Sequence, residues 1–228
     1  MRKLIGFIAT LIILAIGIWI VLAILSASQG PIPMADTAET TLTTQDAPQI
    51  PHLTYTLIPA DSTLTWMARR LVGAQHTGTV DIQSGALTFT DTDTSRIFES
   101  GVFIVNMNTI AESNDNQIFL KHIRGKDFFD VETYPTAILD VQSVTWTGRQ
   151  NVYNIAGALT ILDTTANVTF PATILFTDDG ATATAAFDID RAVWGIVYDS
   201  VSVISDIGDR AIDDRIGFLL ELTFVNGV

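Results

Sequence analysis

The side chains that most often perform chemistry are few in this sequence and are widely spaced. The three histidines are His52, His76 and His122, and no HxH or HExxH spacing joins any two of them. The sequence contains no cysteine, so it offers no thiolate ligand, no cysteine nucleophile and no disulfide. The glycine patterns of phosphate-binding loops, dinucleotide folds and serine-hydrolase elbows are also missing. The sequence therefore predicts neither a catalytic site nor a metal site.

One acidic cluster has the residue types of a calcium site but not its spacing. Four aspartates lie within residues 205–215, SDIGDRAIDDR, and the pattern is not that of an EF-hand loop. Arg210 and Arg215 in the same segment offset their charge. We expect a solvated loop with internal ion pairs.

Two polar or aromatic side chains stand beside glycines. His76 and Gly78 share a face with Val80 and Ile82, so His76 is either a hydrogen-bonded core or rim histidine or a polar group at a cavity mouth. Trp194 precedes Gly195, where backbone or ligand can approach closely, and is either a core residue or a pocket wall.

The segment FLKHIRGKDFFDVETYP, residues 119–135, predicts a short helix in a chain that otherwise reads as strands. Asn114 is the expected helix cap with Gln117 as its partner, and Gly125 is the expected stop. The residues expected on one helical face are Ile118, Phe119, His122 and Ile123. Phe128 and Phe129 follow between two aspartates. The segment is interpreted as a plug that closes one end of a barrel or as a lid on an apolar ligand cavity.

Elsewhere, apolar residues alternate with polar ones from Leu53 to the C-terminus, as in half-buried strands. Ser84-Gly85 and Asp178-Asp179-Gly180 are expected turns. About eight such strands with short turns predict an all-β fold, and an antiparallel barrel is favoured because a closed sheet leaves no edges.

The N-terminal segment differs from the rest. Residues 4–25 are apolar and uncharged, and at about 1.5 Å per residue a helix of that length crosses a bilayer. We expect a membrane anchor at residues 1–26, with cleavage after the small residues 26–28 as the alternative. The Pro- and Thr-rich residues 27–52 are expected to form a flexible linker, and residues 53–228 the barrel. Arg2 and Lys3 predict that the barrel lies on the extracytoplasmic side. The net charge of −13 argues against a nucleic-acid partner.

Five stretches, in order, resemble the YceI-like, polyisoprenoid-binding family of exported bacterial proteins. They are residues 64–89, the HIRGKDFFDVETYP of residues 122–135, residues 153–174, the IDRAVWGIVY of residues 189–198, and the IGDRAIDD of residues 207–214. The chain departs from the family pattern at Leu120, Ile123 and Gly125. The resemblance implies an elongated, lipocalin-like antiparallel barrel whose apolar tunnel holds a long isoprenoid chain, such as a quinone tail.

The combined prediction is an anchored barrel that stores or carries an isoprenoid lipid or quinone without catalysis, and no cofactor is expected. The membrane is the expected second partner, and the sequence leaves a homodimer open. The predicted ligand-binding residues are Trp66, His76, Phe103, Val105, Met107, Phe119, His122, Phe128, Phe129 and Trp194. Two alternatives remain: an interaction module whose barrel is filled by side chains, and an enzyme acting on an isoprenoid head group.

Overall fold

The computed structural model describes residues 52–73, 75–92, 95–203 and 211–227. These residues form nine strands, one α-helix and two short 3-10 helices. The strands are β1 (His52–Leu57), β2 (Thr63–Arg69), β3 (Gln75–Asp91), β4 (Arg96–Glu112), β5 (Thr136–Trp146), β6 (Val152–Ile161), β7 (Thr164–Phe176), β8 (Gly180–Asp190) and β9 (Arg215–Gly227); the helix is α1 (Gln117–Arg124), and the 3-10 helices are Pro59–Asp61 and Arg191–Trp194.

The strands form one closed antiparallel barrel with eight strand positions. From β3 to β9 each strand pairs with the next along the chain. β1 and β2 lie end to end between β9 and β3, and each pairs with both. They therefore act as a single strand broken by the 3-10 turn at Pro59–Asp61. This arrangement confirms the predicted antiparallel barrel of about eight strands.

Successive connections in such a barrel alternate between its two ends. The connections from β2 to β3, β4 to β5, β6 to β7 and β8 to β9 lie at one end, and α1 lies within the second of these. The connections β3–β4, β5–β6 and β7–β8 lie at the other end. The two longest connections, residues 113–135 and 191–214, share the end that carries α1.

Burial alternates along the strands and shows which side chains point into the barrel. In β8 the side chains of Ala181, Ala183 and Ala185 are buried inside the barrel, while Thr182 and Ala186 point outward. The period of two places every second residue on the apolar interior, as the sequence pattern predicts.

The predicted turn at Ser84-Gly85 is wrong, because β3 continues through it as one strand. The register against β4 shifts between Ile82 and Ser84, which marks a β-bulge. The bulge changes the inward side chains from Val80 and Ile82 to Gly85 and Leu87. Gly85 is required by close packing rather than by a turn, since an added Cβ would lie 2.3 Å from Phe103 Cδ1.

The short helix is present, but its cap differs from the prediction. Asn116, not Asn114, is the N-cap, and its side-chain oxygen accepts the N–H of Phe119 at 3.1 Å. Gly125 ends the helix as predicted. Ile118 does not share the buried face, since its side chain is 86% exposed; Ile123 is buried as predicted, together with Leu120, which is not predicted on that face.

The predicted anchor at residues 1–26 and the linker up to Pro51 lie outside the described residues. Among the described residues, no helix is both long and apolar enough to cross a bilayer.

Candidate functional site

An elongated apolar cavity of about 280 Å³ occupies the barrel interior. Inward side chains from β2 to β9 line it. On β9 the lining runs from Ile216 to Phe224, which at about 3.3 Å per residue corresponds to roughly 26 Å along the strand. Small side chains on β5, β7 and β8 leave room for it: Ala137, Ala172, Ala183 and Ala185.

The end of the barrel away from α1 is closed by aromatic rings. Phe89 packs edge to face against Tyr55 and Phe176, whose own rings are tilted at 60° to each other, with centroids 5.1–6.0 Å apart. The Arg96 guanidinium lies 4.3 Å from the centroid of Phe176 and makes a two-bond ion pair with Asp91. The Arg96 hydrogen bonds hold the pKa of the Asp91 carboxyl below its ordinary value. Rings and ion pair together form a stopper at this end.

Apart from Thr184 on β8, the polar side chains that line the cavity lie toward the other end, which we call the mouth. Arg69, Arg70, His76, His122 and Asp213 all contribute to the lining there. The Arg69 side chain is 58% exposed, so the cavity reaches the surface at this end. The site is therefore apolar along its length and polar at one end.

The helix α1 partly covers the mouth, and an acidic side chain binds the backbone at its N-terminal end. The buried carboxylate of Glu112 accepts the backbone N–H of Asn114 at 2.9 Å and that of Asn116 at 3.1 Å. These hydrogen bonds, with that of Asn116 foremost, lower the pKa of Glu112. His76 Nδ1 lies 3.3 Å from Glu112 Oε1, which ties the barrel wall to the same carboxylate.

Aromatic contacts join α1 to the rest of the mouth. The ring of Phe119 stacks on the ring of His76 with centroids 4.0 Å apart, and the centroids of Phe119 and Trp66 are 6.2 Å apart. Three residues further along the helix, the ring of His122 packs edge to face against Tyr198 and Phe128, at 4.6 and 5.2 Å. Both histidines therefore take part in the aromatic contacts that join α1 to its neighbours.

Arg191 organises the long connection between β8 and β9. Its side chain is buried, with 1% exposure, and donates hydrogen bonds to the carbonyl oxygens of Asp213, Ile196, Tyr198 and Ile212. Its Nη2 lies 3.2 Å from Asp214 Oδ1, an ion pair without hydrogen-bond geometry. Burial lowers the pKa of Arg191, while the neighbouring aspartates act in the opposite direction.

Asp213 and Asp214 form ion pairs, as expected for the acidic segment, but both are buried rather than solvated, and their nearest partners Arg69 and Arg191 lie outside residues 205–215. Arg69 Nε donates to Asp213 Oδ2 at 2.8 Å. Asp206 and Asp209 lie outside the described residues. Within those that are described, no group of three or more histidines or acidic residues is arranged to bind a metal.

Nine of the ten predicted ligand-binding residues line the cavity. They are Trp66, His76, Phe103, Val105, Met107, Phe119, His122, Phe128 and Phe129. Trp194 is not among the lining residues; it is buried, and its indole N–H donates to Leu159 O at 3.0 Å. Their role in ligand binding stays a prediction.

Sequence reasoning did not select the inward alanines or the residues of the β8–β9 connection. Ala183 and Ala185 carry no chemical signal, although their alternation with threonine and alanine in ATATAAF marks an inward face of small residues. Arg191 lies in the stretch IDRAVWGIVY, where a lone arginine among apolar residues is the signal of a buried cation. Tyr198 has no comparable signal.

Comparisons with known proteins agree with this geometry. The sequence model of the YceI-like domain matches residues 55–224. No curated protein matches the chain.

Three solved structures share the fold. BcnA from Burkholderia cenocepacia has 18% identity and a TM-score of 0.57, covering 73% of this chain and 98% of its own. A polyisoprenoid-binding domain from Saccharophagus degradans, implicated in plant cell wall breakdown, has 11% identity and a TM-score of 0.56, covering 76% and 98%. The YceI protein of Campylobacter jejuni has 15% identity and a TM-score of 0.52, covering 70% and 90%. With the family model matched over most of the barrel, the chain belongs to the YceI-like family.

Proposed function

We propose that this protein binds a long apolar lipid, a polyisoprenoid or an isoprenoid quinone, inside its barrel and stores or carries it on the extracytoplasmic side of the membrane. The observation that supports this most is the elongated cavity, which is lined by apolar side chains and reaches the surface at a polar mouth. One of the structures with the same fold is described as a polyisoprenoid-binding domain.

The lining provides the driving force for such a ligand. Each buried methylene contributes about 0.8 kcal/mol, so a chain of several isoprene units gains many times the thermal energy on entry. Ordering a flexible tail opposes binding, but the preformed barrel contributes little to that cost. The cavity volume of 280 Å³ is near the lower limit of the roughly 300–1,000 Å³ typical of ligand pockets.

The polarity of the mouth indicates how the lipid is oriented. The closed end offers aromatic rings, whereas His76, Arg69 and Arg70 lie at the open end. A polar head group is therefore expected at the mouth, with the apolar tail directed toward the stopper. In this arrangement the protein buries the tail and needs no chemical step.

Solvent extraction and mass spectrometry of the purified protein test the proposal. A fragment of residues 48–228 contains every strand of the barrel; it is produced in a host that makes quinones, and its folding is checked by circular dichroism. We expect an isoprenoid lipid at close to one equivalent. A folded barrel that is empty and takes up no added octaprenyl lipid would contradict the proposal and favour an interaction module.

A further inference from the structure

Exposed apolar side chains are concentrated at the mouth. In the described residues, half of the exposed large apolar side chains lie in the turn after β2, on α1, or within residues 191–203. The most exposed of these eight are Ile118 at 86%, Val72 at 62%, Leu71 at 59%, Val203 at 56% and Val193 at 53%; away from the mouth, Trp146 is 62% exposed and Ile97 52%. Water-exposed side chains of this kind on loop ends are costly in a soluble domain unless something covers them.

These segments are neighbours at one end of the barrel. The N–H of Leu71 donates to Ala211 O at 3.0 Å, and that of Ile212 donates to Asp199 O at 2.8 Å, which joins the β2–β3 turn to the β8–β9 connection. The His122–Tyr198 contact joins that connection to α1. The apolar side chains thus surround the opening of the cavity.

Basic residues are concentrated in the same segments. After Lys3, every lysine and arginine except Arg96 and Arg149 lies in residues 69–70, 121–126 or 191–215. Arg70, Lys121 and Lys126 are exposed. This distribution is notable in a chain with a net charge of −13.

Some of the carboxylates near the mouth are neutralised. Asp213 and Asp214 are buried and paired with Arg69 and Arg191. Asp127 lies 3.5 Å from His122 Nδ1 at the C-terminal end of α1. Other acidic side chains at this end are exposed: Asp115, Glu132, Asp163 and Asp190. The cationic side chains are thus interspersed with apolar ones, a combination that suits the interface of a bilayer with anionic head groups.

From these observations we infer that the mouth docks onto a lipid bilayer containing anionic phospholipids. Leu71, Val72, Ile118, Val193 and Val203 enter the head-group region, and Arg70, Lys121 and Lys126 contact lipid phosphates. Apolar side chains spread over separate loop ends suit a fluid surface better than a rigid protein partner. Docking itself does not depend on the proposed function. Its functional consequence rests on that function: a docked mouth lets an apolar ligand move between bilayer and cavity without crossing water.

The absence of cysteine allows a direct test on the full chain. Val72→Cys at the mouth and Val225→Cys at the closed end, 62% and 46% exposed, are each labelled with the environment-sensitive dye NBD. The full chain is reconstituted in vesicles of phosphatidylcholine with or without phosphatidylglycerol. We expect blue-shifted emission and quenching by doxyl-labelled lipids at position 72, stronger with phosphatidylglycerol, and neither effect at position 225.

A charge variant tests the cationic contribution. Lys121→Gln/Lys126→Gln removes two cations, each worth about 1 kcal/mol near the surface, so the docking constant measured from the docked fraction is expected to fall about thirtyfold. Arg149→Gln, in the β5–β6 turn at the other end, is the matched control. Neither lysine lines the cavity.

Three results would overturn the inference: equal quenching at positions 72 and 225, no quenching at either, or a blue shift at position 72 that is already complete without vesicles. The last would indicate a second copy or another protein segment over the mouth. Lipid extracted from the same preparations is measured in parallel. Retained lipid without docking refutes only this inference, and docking without lipid refutes only the proposed function.

Discussion

The imidazole ring of His76 lies flat on the phenyl ring of Phe119, with centroids 4.0 Å apart and an angle of 9° between the planes. His76 belongs to the wall strand β3 and Phe119 to α1, so this contact fixes the helix over the cavity mouth. The predictions below concern this helix, the cavity behind it and the connection beside it.

Phe119→Ala is expected to loosen α1 over the mouth. The ring is half-buried and contacts both His76 and Trp66, so its removal is expected to cost about 1–2 kcal/mol, less than the 3–5 of a fully buried phenylalanine. If the cavity holds a lipid, its release becomes several-fold faster. Urea denaturation measures the first effect, and the dissociation rate of a fluorescent prenyl lipid measures the second.

Ile118→Ala is the matched control for this variant. Ile118 lies on the same helix but is 86% exposed, so the change leaves both stability and release rate within error. Equal effects of the two substitutions would show that the stacked ring is not what holds α1 in place.

Ala185→Trp is expected to block the cavity. Ala185 points inward from the middle of β8, opposite Ala172 on β7 and Leu220 on β9. An indole there occupies space that a lipid tail would fill, at a stability cost of about 1–3 kcal/mol from overpacking. Titration with a fluorescent prenyl lipid is expected to show binding lost or at least tenfold weaker.

Ala186→Trp carries the same residue one position along, on the outer face of β8. It is expected to bind lipid like the unchanged protein. Unchanged binding by a folded Ala185→Trp variant would place the lipid outside the cavity.

The strands could be predicted from the sequence because one repeating feature determines them. Along β9, Ile216, Phe218, Leu220, Leu222 and Phe224 alternate with other residues, and all five line the cavity. This period of two is a local property that any half-buried strand imposes on its sequence. Most predicted lining residues lie on such strands or in the aromatic segment after α1.

Other features could not be predicted, because they depend on contacts between distant segments. Gly85 resembles a turn residue, but glycine is needed there because a larger side chain would collide with the ring of Phe103 on the neighbouring strand. The sequence predicts Asn114 as the helix cap, but the cap is Asn116, because Glu112 accepts the N–H groups of both residues and holds the chain in a turn before the helix begins. The partners of Trp194 and Arg191 are equally remote in sequence.

Arg191→Lys is expected to destabilise the protein by about 3–5 kcal/mol, the range found when a buried charged network is broken. Lysine keeps the charge but cannot donate to the four carbonyl groups that the guanidinium reaches. Urea denaturation gives the free energy of unfolding, and hydrogen exchange of residues 196–203 shows where protection is lost. Arg149→Lys, in a surface turn, is expected to change neither; a loss below 1 kcal/mol in Arg191→Lys would mean that the connection holds without this network.

Acidification is expected to loosen the connection between β8 and β9 first. Burial acts to raise the pKa of Asp213. Hydrogen bonds from the Arg215 N–H and from the Arg69 side chain act in the opposite direction, as do the charges of both arginines. Together they outweigh burial, so the pKa of Asp213 lies below its ordinary value. Burial also acts to raise the pKa of Asp214, but hydrogen bonds from Ser202 and Ser200 and the charge of Arg191 outweigh it, so this pKa too is lowered. A carboxyl whose pKa is lower in the folded state than in the unfolded state stabilises the fold fully above the ordinary pKa of 3.8, and this contribution is lost as the pH falls through the folded value.

Asp213→Asn is therefore expected to lower the free energy of unfolding at pH 7 and to weaken the decline of that free energy toward pH 3. Urea denaturation across this pH range measures both, and parallel pH profiles for the variant and the unchanged protein would show that Asp213 is not the titrating group.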